Sequence, residues 1–226
     1  MDTAYNNNVS GERAIGGARS IFSNVGIVTL PSGFKVALTD VPDIRDGYIP
    51  AGTPMQVDEL TRTAKIFKSA KVFTATDQTT GSLTIDIEKE LDAEYGRNPF
   101  KVGDIIMVLG ADLATAGLGV TITAIDRTTN TTKDVLTVND EIIAAKGDFL
   151  VLADIESATA AVPAVVPNCI TPYDIVKDPY STGISAEACF NLLNGVVYER
   201  RIPAIPNAVK VSLRESDCNF RFSQSK

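Results

Sequence analysis

The sequence predicts a mainly β protein in which a β-rich domain is split by an inserted small β-barrel or sandwich, with an extended arm at the N-terminal end. Three observations predict it. Short runs rich in Val, Ile and Thr recur at strand length and are separated by Gly, Pro, Asn and Asp. Two rigid turns of apolar residues and proline stand far apart in the chain, Ile49-Pro50-Ala51-Gly52-Thr53-Pro54 and residues 198–206, which hold Pro203 and Pro206. Between them the texture changes, and residues 71–154 read as a module of their own.

Residues 1–24 form the expected arm, which is rich in Asn, Gly and Ser and has no sustained periodicity. Arg13, Ile15, Arg19, Ile21 and Phe22 are the side chains with which it would order on a partner, by adding a strand to the edge of another subunit's sheet. A loose terminus is the other reading.

The β-rich domain is expected over 25–70 and 155–226. Residues 26–38 hold two β-branched runs on either side of Pro31-Ser32-Gly33, read as two strands and a turn. In the segment from Ile49, Pro50 fixes its own φ and Gly52 supplies a positive one. With Thr53 and Pro54 they make a β-turn that delivers Met55 and Val57 into a strand, and residues 62–67 alternate as the next. After the Ala-Val-Pro-rich stretch 157–167, read as a return linker, come Ile170-Thr171-Pro172-Tyr173-Asp174-Ile175, an apolar stretch at 186–193, and a short helix at 207–213. Asn219-Phe220-Arg221-Phe222 suits a last edge strand.

Within 71–154, residues 72–76 and 82–87 read as a hairpin in which Leu83, Ile85 and Ile87 share one face. Gly103-Asp104 turns the chain into an apolar run at 105–108, and Gly147-Asp148 repeats that corner before 149–152. Residues 120–126 and 134–138 flank a polar loop. About six short strands at this spacing suggest a small barrel or sandwich.

Composition narrows the function. The chain has no histidine, which removes the usual general base and the usual metal ligand, and with them Ser-His-Asp and Cys-His nucleophilic sites. Cys169, Cys189 and Cys218 are odd in number and widely spaced, which fits neither a zinc knuckle nor a closed disulfide framework. Asp40, Asp43 and Asp46 miss the spacing of a calcium loop, and Gly117-Leu118-Gly119 reads as a loop without the further glycine of a phosphate-binding turn. No catalytic, cofactor or metal residue is therefore assigned, and an enzyme is not expected. No apolar run approaches the ~20 residues that span a bilayer, and residues 1–8 lack the basic and apolar parts of a signal peptide. A soluble protein made in the cytoplasm is expected.

The net charge of −7 speaks against a nucleic-acid partner, which calls for a basic surface. It is unevenly spread: residues 195–226 carry +3 and the remainder −10. Arg200, Arg201 and Lys210 lie in that basic end. Either they form a face that docks on something acidic, or they solvate the last strands.

Three segments carry a resemblance. Ile-Pro-Ala-Gly-Thr-Pro at 49–54, Ile-Thr-Pro-x-Asp-Ile at 170–175 and Gly-x-Val-Tyr-x-x-x-Ile-Pro at 195–203 occur in the order seen in head-decoration proteins of lambdoid tailed bacteriophages. The chain also resembles the head-fibre or auxiliary capsid proteins of Bacteroidetes-infecting (crAss-like) phages, and with its 71–154 module it is similar only to the larger versions. The resemblance implies a decoration-type domain bound to the outer surface of the phage head. There it would cement neighbouring subunits, with the major capsid protein as partner and self-association, as a homotrimer or another oligomer, on the capsid lattice. In that reading the arm side chains and Arg200, Arg201 and Lys210 are the capsid contacts, and Pro50, Gly52, Thr53, Pro54, Pro203 and Pro206 are structural turns. The alternative is a head fibre whose module binds host carbohydrate, with Tyr95, Phe100 and Phe149 as its few aromatics; the low aromatic content of 7% and the lack of Trp disfavour a sugar-stacking site.

Overall fold

The computed structural model describes residues 27–37, 49–89, 98–175, 184–191, 196–199, 202–215 and 221–223. The chain is mainly β with a single short helix among these residues, as the alternating runs predict.

The first sheet is a ring of five strands. β1 (Ile27–Val36), β2 (Pro54–Asp58) and β3 (Thr63–Ile66) come from the first part of the chain. Two more, β11 (Cys169–Ile170) and β12 (Ile184–Asn191), come from far downstream. Their order is β1-β12-β11-β2-β3, and a parallel pairing of Lys35 with Thr63 and Val36 with Ala64 closes the ring. The two expected strands of 26–38 are one. Leu30 pairs with Ala188 and Phe34 with Ala186, so Pro31-Ser32-Gly33 forms a bulge inside β1. Proline has no N–H for the ladder and is tolerated at such a bulge.

The second sheet holds β4 (Ser69–Lys71), β5 (Ser82–Glu88), β6 (Ile105–Val108), β7 (Gly117–Asp126), β8 (Lys133–Ile142), β9 (Phe149–Leu152) and β10 (Ser157–Ala161). Its order is β4-β9-β6-β7-β8-β5, with β10 beside the start of β7. It curls until Val72 bridges Ile87, which joins its two ends. Beyond that bridge β5 pairs with β8 and not with 72–76, so the expected hairpin does not form. A register shift between Ser82 and Thr84 leaves Leu83 about half exposed while Ile85 and Ile87 are fully buried.

This sheet is built twice over. Thr74-Ala75-Thr76-Asp77-Gln78-Thr79-Thr80 leads from β4 into β5, and Thr123-Ala124-Ile125-Asp126-Arg127-Thr128-Thr129 leads from β7 into β8. Each half then turns at a Gly-Asp corner into β6 or β9. The hydrogen bonds repeat with the sequence. The Gly103 N–H donates to Ile122 O (2.8 Å) and the Ile122 N–H to Asp104 O (2.9 Å); the Gly147 N–H donates to Val72 O (2.9 Å) and the Val72 N–H to Asp148 O (2.8 Å). Gln78 Nε2 caps Ala144 O at 3.0 Å as Arg127 Nη2 caps Phe100 O at 2.7 Å. An approximate twofold axis therefore relates the halves and passes between Met107 and Val151, which pair in register.

Two further expectations change. Gly117-Leu118-Gly119 opens β7 as strand, because β10 lies so close that a Cβ on Gly119 would stand 2.4 Å from Ile155 O and 2.7 Å from the Ala161 Cβ. Residues 157–161 of the expected linker are β10 itself, and Ala153 bridges Pro163 just beyond.

The two sheets are bonded through apolar packing. Along β6 and β9 the side chains alternate: Ile106 and Leu150 fill the curled sheet, while Met107 and Val151 pack with Phe34, Met55 and Ile66 of the ring. Both faces of these strands are thus buried, which is why they read as continuous apolar runs. β13 (Val196–Tyr198) and β14 (Arg221–Ser223) form a parallel pair, and Val197 joins Val209 and Leu213 of α1 (Asn207–Glu215) in the core of the ring.

Candidate docking surface

The turn at Ile49 and the segment at Ile170 form one interlocked unit. Ile49 and Ile175 exchange both backbone hydrogen bonds at 2.8 Å, and the Ala51 N–H donates to Asp174 Oδ1 at 2.7 Å. The Thr53 N–H reaches Pro50 O at 3.2 Å, and Gly52, at φ 81°, occupies the position of a type II turn that demands a left-handed residue. Pro50 is thus the first residue of the turn, contributing its carbonyl. That carbonyl accepts from Thr53 Oγ1 (2.6 Å) and from Thr171 Oγ1 (3.0 Å), and Thr171 Oγ1 in turn accepts from the Thr53 N–H at 3.1 Å. Pro54 opens β2, where a strand tolerates proline, and its carbonyl accepts from the Phe67 N–H.

The later prolines shape the C-terminal unit. Pro206 presents its carbonyl to the N–H groups of Val209 and Lys210 at 3.1 and 3.2 Å and so starts α1, while Pro203 lies between the buried Ile202 and the exposed Ala204. Lys210, expected as a docking cation, has its ammonium paired with Glu199 and 5.4 Å from the Phe222 ring centroid. It ties α1 to β13 and β14. Arg13, Ile15, Arg19, Ile21, Phe22, Arg200 and Arg201, and with them the arm, lie outside the described residues, as does Tyr95. Phe100 is fully buried in the curled sheet and presents no face to a sugar.

Sequence reasoning missed the β2–β3 loop. Asp58 Oδ1 accepts from the N–H groups of Leu60 (2.8 Å) and Thr61 (3.2 Å), and the hydroxyls of Thr61 and Thr63 meet at 2.8 Å. Arg62 pairs with Glu59 at 2.8 Å and lays its guanidinium 4.3 Å from the centroid of Phe34. Its φ of 53° makes it the non-glycine residue with a left-handed backbone among the described residues. The Asp58 turn belongs to a series, Asp-x-x-Thr at 58–61, 77–80, 112–115 and 126–129. Hydrogen bonds from threonine hydroxyls and from backbone N–H groups hold all four carboxyls below the usual aspartate range, Thr61 contributing most at Asp58, the Thr79 N–H at Asp77, Thr115 at Asp112 and Thr129 at Asp126. That recurrence was the readable signal.

Among the described residues no group of three or more His, Cys, Asp or Glu is arranged to hold a metal ion, and no helix is long and apolar enough to cross a membrane. Comparison of the chain with protein-family models, with curated proteins and with solved structures returned no match.

Proposed function

We propose that this protein is a structural component of a tailed-phage particle that binds the outer surface of the capsid and cements or decorates the head. Its partner is the major capsid protein, it self-associates on the capsid lattice, and its place is the virion. The observation that carries this reading is the meeting of the three segments on which the resemblance rests. Residues 49–54 and 170–175 are one hydrogen-bonded unit, and the third segment contributes Val197 and Ile202 to the same core. Segments about 120 residues apart that lock together form a rigid platform of the kind a lattice-bound protein needs, since a repeated surface multiplies modest contacts through avidity. In this reading the ring with α1 is the platform and the curled sheet is the part it carries.

The test is co-sedimentation of the purified protein with heads assembled without it, read at several salt concentrations. Saturable binding at a fixed number of copies per head is the expected result, and a protein that stays in the supernatant at every salt concentration overturns the proposal.

A further inference from the structure

We propose that residues 127–134 form a binding site for a monovalent cation and that the Lys89 ammonium is its tethered occupant. Lys89 follows β5, and its Nζ donates to Arg127 O at 2.5 Å and to Asn130 O at 3.2 Å, while Asp134 Oδ1 lies 3.3 Å away. Two loop carbonyls and one carboxylate oxygen thus converge on a single positive charge. The loop joins β7 to β8, and the main chain ties its base to the same residue, the Lys89 N–H donating to Thr132 O at 3.1 Å. The ammonium is therefore held at the site and need not be captured from solution.

Asp134 sets this site apart from a surface ion pair. Its side chain is 4% exposed, and Oδ1 is one of two buried polar side-chain atoms that lack a hydrogen-bond partner among the described residues. The ammonium reaches that oxygen as a charge but out of line for a hydrogen bond. Buried polar atoms are normally bonded, so an orphan of this kind calls for an explanation. An ammonium must direct its three protons, whereas a spherical ion makes no such demand and can touch all three oxygens equally. The cage suits a metal cation at least as well as the lysine that fills it.

The donors and the charge narrow the ion. Carbonyl and carboxylate oxygens are hard ligands, which excludes the softer metals. Calcium takes about six to eight oxygens at about 2.3–2.6 Å, and its second charge would be unmatched here. Lys133 is committed to Asp86 at 2.6 Å, and the Asp126 carboxylate to the N–H groups of Thr128 and Thr129 at 2.9 and 3.0 Å. One carboxylate and one positive charge remain. Potassium has that charge and nearly the size of an ammonium, and carbonyl oxygens bind it by replacing its hydration shell.

The experiment compares the melting temperatures of wild type, Lys89→Ala, Lys89→Met and Lys89→Ala/Asp134→Asn in potassium, calcium and tetramethylammonium chloride at equal ionic strength. Lys89→Ala empties the cage and keeps the backbone bond to Thr132, whereas Lys89→Met removes the charge but leaves an apolar chain in its place. In tetramethylammonium chloride, whose cation is too large for the cage, Lys89→Ala is expected to melt below wild type. In potassium chloride it should regain about half of that loss or more, because an ion bound only by the folded state stabilises it. Wild type, Lys89→Met and the double variant should show no such gain. Equal melting of Lys89→Ala in the two salts, or its failure to fold in either, overturns the site. A gain of the same size in wild type, Lys89→Met or the double variant overturns it too, since the salt then acts elsewhere on the protein. Recovery of Lys89→Ala in calcium chloride alone overturns the assignment to a monovalent ion.

Discussion

Lys68 Nζ donates to Asp104 Oδ2 at 3.0 Å, joining the stretch between the two sheets to the first Gly-Asp corner. The lysine is buried to within 2% and its carboxylate partner is mostly covered, so this ion pair lies in the protein and not on it. The same oxygen accepts from the Lys101 N–H at 2.9 Å, the bond that makes the corner. One carboxylate thus shapes a turn and neutralises a buried cation.

Removing either partner should therefore have unequal effects. Asp104→Asn leaves a buried ammonium without a counter-charge, and breaking such a pair costs about 3–5 kcal/mol. Lys68→Met removes the buried charge itself and leaves Asp104 its backbone donor and some water, so a loss of about 1–2 kcal/mol is expected. Asp148 builds the matching corner through the Ala145 N–H at 2.8 Å, and no ion pair to it appears among the described residues. Asp148→Asn should cost less than Asp104→Asn. Urea unfolding of the three variants and of Lys68→Met/Asp104→Asn checks this, with the double variant recovering part of the loss.

Thr171 gives a second measure of how the platform is held. Its side-chain oxygen bonds Pro50 O and the Thr53 N–H, and both threonines are buried. Thr171→Val keeps the shape and strips both bonds, leaving the buried Thr53 N–H its other bond, to Pro50 O at 3.2 Å, for an expected loss of about 1–2 kcal/mol. Thr53→Val leaves Pro50 O its bond from Thr171 and should cost less. Equal stability of Thr171→Val and wild type in chemical denaturation would remove the hydroxyl from the account.

Much of this architecture was legible, and the parts that were not share a cause. Local signals sufficed where the chain decides its own course: Gly52, Gly103 and Gly147 all have the positive φ that their turns demand, and α1 starts after Pro206. Pairing partners were not legible, because β5 prefers β8 to its neighbour in sequence and Leu83 leaves the core through a register shift that no alternation of residues announces. The linker that proved to be β10 was hidden by its alanines, which have weak strand preference and owe their place to glycines in β7. The internal repeat is written in Thr-Ala-x-Asp-x-Thr-Thr at 74–80 and 123–129 as well as in the two Gly-Asp corners. In the β2–β3 loop, Leu60 is one apolar residue in a polar turn, and neither its exposure nor the contact of Arg62 with Phe34, far back in the sequence, is announced locally.

The four Asp-x-x-Thr turns set an acid limit. Hydrogen bonds to the ionised carboxylates of Asp58, Asp77, Asp112 and Asp126 lower their folded-state values, so the folded protein binds fewer protons than the unfolded chain. Their stabilisation is complete above the ordinary aspartate value of about 4 and is lost as the pH falls through the lowered values. The melting temperature should consequently show no contribution from these groups to its slope above about pH 5, and should fall progressively below about pH 4. Asp126→Asn keeps an oxygen for the Thr128 and Thr129 N–H groups but carries no charge. It should melt lower at neutral pH and lose less on acidification; an unchanged acid slope would assign the sensitivity to other groups.

The duplicated corners allow a last comparison between equivalent and non-equivalent glycines. Gly103 and Gly147 have φ values of 91° and 92°, and a Cβ on either meets no atom within 4 Å. Alanine there is opposed by backbone conformation alone, at about 1–2 kcal/mol, and by the same amount in both halves if the twofold relation is physical. Gly119 has no twin with its surroundings. Its Cβ would collide with the Ile155 carbonyl, so Gly119→Ala must push β10 away from β7 and should be the most damaging of the three. Urea midpoints should rank Gly119→Ala lowest with Gly103→Ala and Gly147→Ala together, and a gap of more than about 1 kcal/mol between those two would mean that the corners share a sequence but not an environment.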